Sequence, residues 1–273
     1  MLAQAPSDTL WAMPSANIDE LFTQTLAGDY HADEPWEAVR KLQGNGTREV
    51  FEIAAAWCRS PEPLKRARGA DILGQLGKTA ENPNTLFADE SFQTLSVLVS
   101  REEDARPLSS AVAALGHLGN PSAVPLIVML CKHPSDEVRF DLAFALGCFP
   151  EHEQSMSALI ELMGDEDSDV RDWATFGLGV LGTADSEEIR ASLIRNLSDI
   201  DEDTREEAIA GLAMRGDLAA LRPLLQELKD APSLCVKEAA FSLLGVGWEN
   251  SDREPSALAA ELERRFHEFL RES

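Results

Sequence analysis

One motif of this chain returns at a nearly fixed interval. An Asp-x-Val-Arg segment ending at Arg139 comes back 32 residues later as Asp-Val-Arg ending at Arg171, and each copy leads into a closing glycine. Such a period is typical of a solenoid, in which each unit buries its apolar face only by stacking on its neighbours. Function is therefore expected on a continuous surface. Six copies are predicted, with Arg66, Leu108, Arg139, Arg171, Arg205 and Lys237 at equivalent positions.

Each unit is predicted to be a helical hairpin. Between Ser122 and Phe149, apolar residues first recur at helical spacing, a His-Pro-Ser turn breaks the helix, and a second helix starts near Glu137. Asp136 is placed to cap this second helix, as are Asp169 and Asp203 in the next two units. One solenoid is predicted over residues 17–273, after a disordered segment at residues 1–16. Its repeats are predicted at residues 49–77, 90–119, 122–149, 154–182, 187–216 and 217–247, with a capping helix at residues 256–271.

The repeated motif resembles the short HEAT-like repeat of phycobilisome-lyase-type proteins. The likeness rests on Asp136-x-Val138-Arg139 and Asp169-Val170-Arg171, on the weaker copies Asp203-Thr204-Arg205 and Val236-Lys237, and on the closing Leu-Gly. It implies an all-α fold, an α-α superhelix of about six hairpins with capping helices at the ends. It also implies that the aspartate and arginine of each motif pair between neighbouring repeats as a structural ladder.

Charge limits the classes of partner. The chain holds 48 Asp and Glu against 24 Lys and Arg, a formal net charge of −24. This charge opposes direct binding to nucleic-acid phosphates or anionic membranes and favours a basic protein segment. The first basic residue is Arg40, which argues against a secretory leader, and no apolar run has the length of a membrane span. A cytoplasmic location is therefore predicted.

A candidate binding surface follows from the second helices, which line the concave face of HEAT-type solenoids. Positions three, seven and eleven after each turn share one helix face, and in the middle repeats they are unusually apolar. An exposed apolar patch with an acidic rim is typical of a groove for a basic or amphipathic peptide. A register shifted by one residue would instead place the rings in the core. The predicted partner-binding residues are Phe140, Phe144, Trp173 and Phe176 as anchors, with Asp141, Asp172, Glu206 and Glu207 as charge selectors.

The chain is therefore predicted to be a non-catalytic adaptor, scaffold or inhibitor that binds another protein. No catalytic residue set, metal site or cofactor is predicted. The His-Glu pairs at His152 and His267 resemble those of HEAT-repeat deoxyhypusine hydroxylases, but they fall outside the second helices. The main alternative, taken from the resemblance, is a bilin-lyase-like enzyme or chromophore chaperone. A further alternative is an acidic mimic of nucleic acid. Such a mimic would present regularly spaced carboxylates, whereas aromatic residues interrupt the carboxylates of the predicted groove.

Overall fold

The computed structural model describes residues 15–80, 82–229, 232–247, 249 and 252–272. Over these residues the chain forms helices and turns without a strand, as predicted for an all-α protein. The disorder predicted for the N-terminal segment lies outside the described residues up to position 14, and Ser15 begins the first helix. By its internal contacts the chain divides into two compact units, residues 1–127 and 128–273.

The first unit contains seven α-helices among its described residues. α1 packs against α2, α3 against α4 and α5 against α6, and the second helices α4 and α6 also pack against each other. The helices are α1 Ser15–Gln24, α2 Asp33–Asn45, α3 Arg48–Trp57, α4 Pro63–Gly74, α5 Ala88–Val99, α6 Ala105–Leu118 and α7 Val124–Ile127, the last preceded by a 3-10 turn at Pro121–Ala123.

The second unit continues the pattern of helix pairs. Its second helices, α8, α10, α12 and α14, pack side by side in that order, which is the arrangement of an α-solenoid and confirms the predicted fold class. The helices are α8 Asp136–Gly147, α9 Glu153–Leu162, α10 Ser168–Phe176, α11 Glu187–Asn196, α12 Glu202–Met214, α13 Leu221–Glu227, α14 Leu234–Leu244, α15 Pro255–Arg265 and α16 His267–Glu272, with 3-10 turns at Val128–Leu130 and Leu218–Ala220.

Pairs of glycines let neighbouring second helices approach closely. A Cβ atom on Gly177 of the α10 segment would lie 2.9 Å from the Cα of Gly147 on α8. On the other side, a Cβ on Gly211 of α12 would lie 2.9 Å from the Cα of Gly179. Only glycine fits at such distances. The closing Leu-Gly of the repeat therefore serves helix packing here.

The predicted ladder of arginine–aspartate pairs exists, but the aspartates in it differ from those that the resemblance implies. Arg139 donates two hydrogen bonds of 2.8 Å to Asp165, and Arg171 donates two of 2.7 Å to Asp199. The implied acids, Asp169 and Asp203, lie four residues further along. Each arginine also bonds carbonyls of its own turn, so its free edge meets the acid at the start of the next turn. Such two-point pairs fix geometry as well as charge.

The predicted helix caps are wrong, because the residue that caps each helix lies one or two positions before the predicted aspartate. Asp167 caps α10 by accepting from the backbone N–H groups of Asp169 and Val170, and Asp201 caps α12 by accepting from Thr204 N–H. In the hairpin of α8 the capping position is Ser135, so Asp136 already belongs to the helix. The carboxylates predicted as caps lie instead in the first helical turn, where they favour the positive end of the helix dipole.

Candidate partner-binding surface

The face predicted for binding remains partly exposed in the second unit. On α8, Phe140 and Phe144 are partly exposed, whereas Leu142 and Leu146 between and beyond them are fully buried. On α10, Phe176 is partly exposed and Ala174 is buried. The spacing of four residues therefore places the rings at the surface, beside the inter-repeat core.

Trp173 lies at the centre of these rings. Its indole meets the ring of Phe144 edge to face at 5.3 Å between centroids, that of Phe176 at 5.9 Å and that of Phe140 at 6.0 Å. Contacts of this geometry contribute about 0.5–1.5 kcal/mol each beyond buried area. The four residues, hereafter the aromatic patch, form one cluster on α8 and α10.

The aromatic patch ends at Phe176, where the α-helix α10 gives way to a π-helical turn. Directly after Phe176, residues Gly177–Leu181 form a π-helical turn. The C-terminal carbonyls around this turn are satisfied by one side chain, that of Arg215, which follows α12. Its guanidinium donates hydrogen bonds of 2.7–3.0 Å to the backbone carbonyls of Leu178, Gly179, Gly182, Ala184 and Gly211.

A small cavity follows the aromatic patch along the same helix face. Val180 lies one turn beyond Phe176 and lines this cavity of about 250 Å³. Met214 of α12, which is 50% exposed, lies on its wall. Most of the lining residues occupy positions three, seven or eleven after their turns, the face predicted for binding: Val180, Ala210, Met214, Glu238, Ser242 and Val246.

Two of the predicted acidic residues meet between α10 and α12. Asp172 Oδ1 and Glu207 Oε2 are buried from solvent, and neither oxygen accepts a hydrogen bond from an N–H or hydroxyl donor of the protein. Burial, and then the charge of Asp172, raises the pKa of Glu207 to about 10. Burial also raises the pKa of Asp172, while its hydrogen bond with Glu207 acts in the opposite direction. The two residues are hereafter called the carboxyl pair, and their raised pKa values are those expected of two neighbouring buried carboxyls that do not both ionise.

The other two predicted acidic residues lie differently. Glu206 is only 8% exposed, and the hydroxyl of Ser233 donates to its carboxylate at 2.5 Å. Burial raises the pKa of Glu206. Its carboxylate thus joins α12 to the start of α14, where Ser233 also caps the helix. Asp141 is partly exposed on α8, next to Phe140.

The sequence does not predict the roles of two residues in this region, Arg215 and Ser233. Arg215 bonds acceptors that lie up to 37 residues away, and Ser233 bonds an acid 27 residues away. The spacing of 27 residues does not match the repeat period, and although Arg215 reaches back about one period, no equivalent arginine belongs to the repeated motif. Only the packing of α10, α12 and α14 identifies these residues as parts of the site.

The structure also places the His-Glu pairs. His152 is the N-cap of α9, where its ring accepts from the N–H of Gln154, and His267 is the first residue of α16. Within the described part of the chain, no three His, Cys, Asp or Glu side chains come together as a metal-binding group. No helix of the described ranges has both the length and the apolar character that crossing a bilayer requires.

Comparison with known proteins gives the same type of repeat. The family model of HEAT repeats matches residues 92–179 and 156–245. Protein YibA of Escherichia coli (strain K12) is 30% identical over 221 residues, which are 78% of this chain and 75% of YibA. The HEAT-like repeat predicted from the Asp-x-Val-Arg motif is thereby confirmed.

Solved structures were compared as well. The X-ray structure of E. coli YibA matches with a TM-score of 0.66 and 27% identity, over 90% of this chain and 92% of YibA. The complex of CpcE and CpcF of phycocyanin lyase from Nostoc sp. PCC7120 matches with a TM-score of 0.48 and 16% identity, over 97% of this chain and 99% of the matched chain.

Proposed function

The chain belongs to the HEAT-repeat family, and from this premise we propose that it is a non-catalytic adaptor, scaffold or inhibitor that binds another protein. The binding surface is the face of α8, α10 and α12 in the second unit. Its ligand is a basic, partly apolar segment of the partner. HEAT solenoids offer long continuous faces of this kind, in which each repeat adds one helix to the surface.

The observation that carries this proposal is the partly exposed aromatic patch. Three phenylalanine rings on two adjacent helices are grouped around Trp173 at the surface, whereas most of the buried core residues are aliphatic or alanine. Aromatic side chains bury a large area for little loss of conformational freedom, which makes them common anchors of interfaces. The neighbouring cavity at Met214 offers room for an aliphatic side chain of the ligand.

Charge supports a basic ligand. The net charge of −24 raises the local concentration of cationic segments. Next to the aromatic patch, Asp141 is partly exposed and the carboxyl pair lies between α10 and α12. These acids would contribute more to specificity than to affinity, because they favour basic segments over other apolar segments.

The direct test is affinity capture from the source cell with the wild type and with Phe144→Asp. We expect the captured partner to disappear with the variant, because a carboxylate replaces a central anchor. Loss of one surface ring contact costs about 0.5–1.5 kcal/mol of stability, whereas loss of a core phenylalanine would cost about 3–5 kcal/mol. Circular dichroism and urea denaturation separate these cases.

Met129→Asp is the matched control. Met129 belongs to the same predicted repeat, is 79% exposed and lies in the 3-10 turn Val128–Leu130, outside the second helices. It should leave the partner bound. The proposal fails if Phe144→Asp retains the partner, or if it unfolds as a core variant would. A pigment bound to the purified protein, with no partner protein, would support the bilin-lyase-like alternative instead.

A further inference from the structure

We propose that the cavity beside Met214 sets the specificity of binding. It takes one apolar side chain of the partner segment, of the size of leucine to phenylalanine, and Glu238 on its rim pairs with a nearby arginine or lysine of the same segment. This inference rests on the proposed function, since it concerns the same ligand. It adds the chemical identity of two ligand residues and the place where each of them binds.

Small residues on two packed helices leave room for this cavity. Ala210 of α12 and Ala239 of α14 both line it and are buried, and larger side chains at these positions would fill the space. The resulting volume is about 250 Å³. An apolar cavity of about 150 Å³ already holds a benzene molecule, whereas small-molecule sites measure about 300–1,000 Å³. The size therefore suits one aliphatic or phenyl side chain.

One wall of the cavity is held in place by the protein itself. Val180 belongs to the π-helical turn, and the carbonyls of Gly179 and Gly182 on either side of it accept hydrogen bonds of 2.7 and 3.0 Å from Arg215. Turns of this kind are rare and are frequently found at functional sites. A preformed wall binds a side chain without a further cost of ordering.

Another wall can adapt to the side chain that enters. Met214 lines the cavity from α12 and is 50% exposed. Methionine is unbranched and flexible, so it fits apolar groups of different shape. In the free protein, half of this large apolar side chain remains in water. A ligand that covers it gains affinity through the hydrophobic effect.

The cavity continues the aromatic patch, so that one segment of the partner can contact both. Val180 follows Phe176 by four residues, which corresponds to a rise of about 6 Å along a helix. A peptide in extended conformation covers this distance with about two residues. Apolar residues of the ligand should therefore recur at short intervals, as they do in a peptide that alternates leucine with arginine.

The rim of the cavity favours a basic residue near the apolar one. Glu238 and Ser242 lie one turn apart on α14, and both are exposed and line the cavity. Among the described residues that line it, Glu238 alone carries a charge. The stems of arginine and lysine lie along apolar surface while the charged end reaches a carboxylate. Such an exposed pair adds affinity of up to about fivefold and disfavours acidic segments.

The first measurement is the affinity of two capped peptides, one alternating leucine with arginine and the other alanine with arginine. Ser242→Phe places a ring over the cavity from an exposed position, and it should lower the affinity for the leucine peptide about tenfold. The affinity for the alanine peptide should change by less than about twofold, because alanine does not fill the cavity. Ser157→Phe, at an exposed position of α9, is the matched control and should bind the leucine peptide like the wild type.

The second measurement locates the bound side chain in the wild type. With isotope-labelled methyl groups on the methionines of the protein and the leucines of the peptide, nuclear Overhauser contacts should connect a leucine methyl with the methyl of Met214. The Met214 signal is identified by its absence from the spectrum of Met214→Leu. This measurement does not depend on the folding of any cavity variant.

Glu238→Gln tests the basic neighbour. The variant should bind the leucine-arginine peptide about two- to fivefold more weakly than the wild type does. With citrulline, a neutral isostere of arginine, in the peptide, the variant and the wild type should bind equally. Glu263→Gln, which changes an exposed glutamate of α15, should bind both peptides like the wild type.

The outcomes separate this inference from the proposed function. If the leucine peptide does not bind the wild type, the proposed function itself is contradicted. If the peptide binds and Phe144→Asp abolishes binding, but Ser242→Phe keeps full affinity and no contact with Met214 is observed, only the cavity is overturned as a site. An equal loss in Ser157→Phe also overturns it. Wild-type affinity of Glu238→Gln for the arginine peptide overturns the basic neighbour.

Discussion

At the scale of single residues, Arg215 has the largest structural role that the sequence does not reveal. Its guanidinium satisfies five backbone carbonyls around the π-helical turn of the α10 segment. Burial lowers the pKa of this arginine, because the protein separates its guanidinium from water. The side chain acts as a common cap for α10 and α12.

Removing this cap should be costly. Arg215→Met leaves five carbonyls without their donor, and we expect the free energy of unfolding to fall by about 3 kcal/mol or more in urea denaturation. Arg195→Met, at an exposed position of α11, should change it by less than about 0.5 kcal/mol. Similar losses in both variants would mean that water replaces the guanidinium.

Glu207 should give the stability a distinct pH dependence. An unfolded glutamate titrates near its ordinary value of 4.5, whereas the folded one holds its proton to about pH 10. The folded state binds the proton more tightly, so this contribution is fully present at low pH and is lost as pH rises through that window. Its slope is at most about 1.4 kcal/mol per pH unit.

Glu207→Gln removes the titrating group. Measured by urea denaturation at about pH 5, 7 and 9, the variant should gain stability relative to the wild type as pH increases. The stability of Glu263→Gln, which changes an exposed glutamate of α15, should follow that of the wild type at each pH. A constant difference between Glu207→Gln and the wild type across this range would contradict a proton held by the carboxyl pair.

At the scale of helices, glycine contacts set how closely the second helices pack. A Cβ atom on Gly211 would lie 2.9 Å from the Cα of Gly179, where both partners are backbone and neither can turn away. Gly211→Ala should therefore force α10 and α12 apart and cost about 1–3 kcal/mol.

Gly44→Ala provides the control for this prediction. Gly44 is also helical, in α2, but an added Cβ would meet nothing within 4 Å. Alanine there should stabilise the protein by about 0.5–1 kcal/mol through helix propensity. Thermal or urea denaturation of both variants tests the contrast. Equal effects would show that close approach does not limit the packing of α10 and α12.

The helices also show what the sequence could predict. The period and the apolar spacing predicted two helices per repeat and the shared face of Phe140 and Phe144, because these depend on neighbours along the chain. The π-helical turn after Phe176 could not be predicted, since it depends on glycines of α8 and α12 and on Arg215. The inward position of Glu206 likewise depends on Ser233 of the next helix.

At the scale of the whole molecule, charge should govern how binding responds to salt. With a net charge of −24, long-range attraction adds to the affinity for a cationic segment and is screened over about 10 Å at 0.1 M salt. We expect the affinity for a peptide of alternating leucine and arginine to fall about tenfold between low and about 0.5 M salt. At higher salt the affinity should stay constant, because contacts with the aromatic patch are not screened. Affinity that is independent of salt would contradict charge selection.

The most direct measurement of the central claim is a peptide-display selection on the purified protein, with each selected peptide then tested against Phe144→Asp and Met129→Asp. The proposed surface predicts selected sequences that combine arginine or lysine with large apolar residues. These peptides should bind the wild type and Met129→Asp equally well and should not bind Phe144→Asp. Acidic sequences, or peptides that Phe144→Asp binds as well as the wild type does, would contradict a basic segment bound at the aromatic patch.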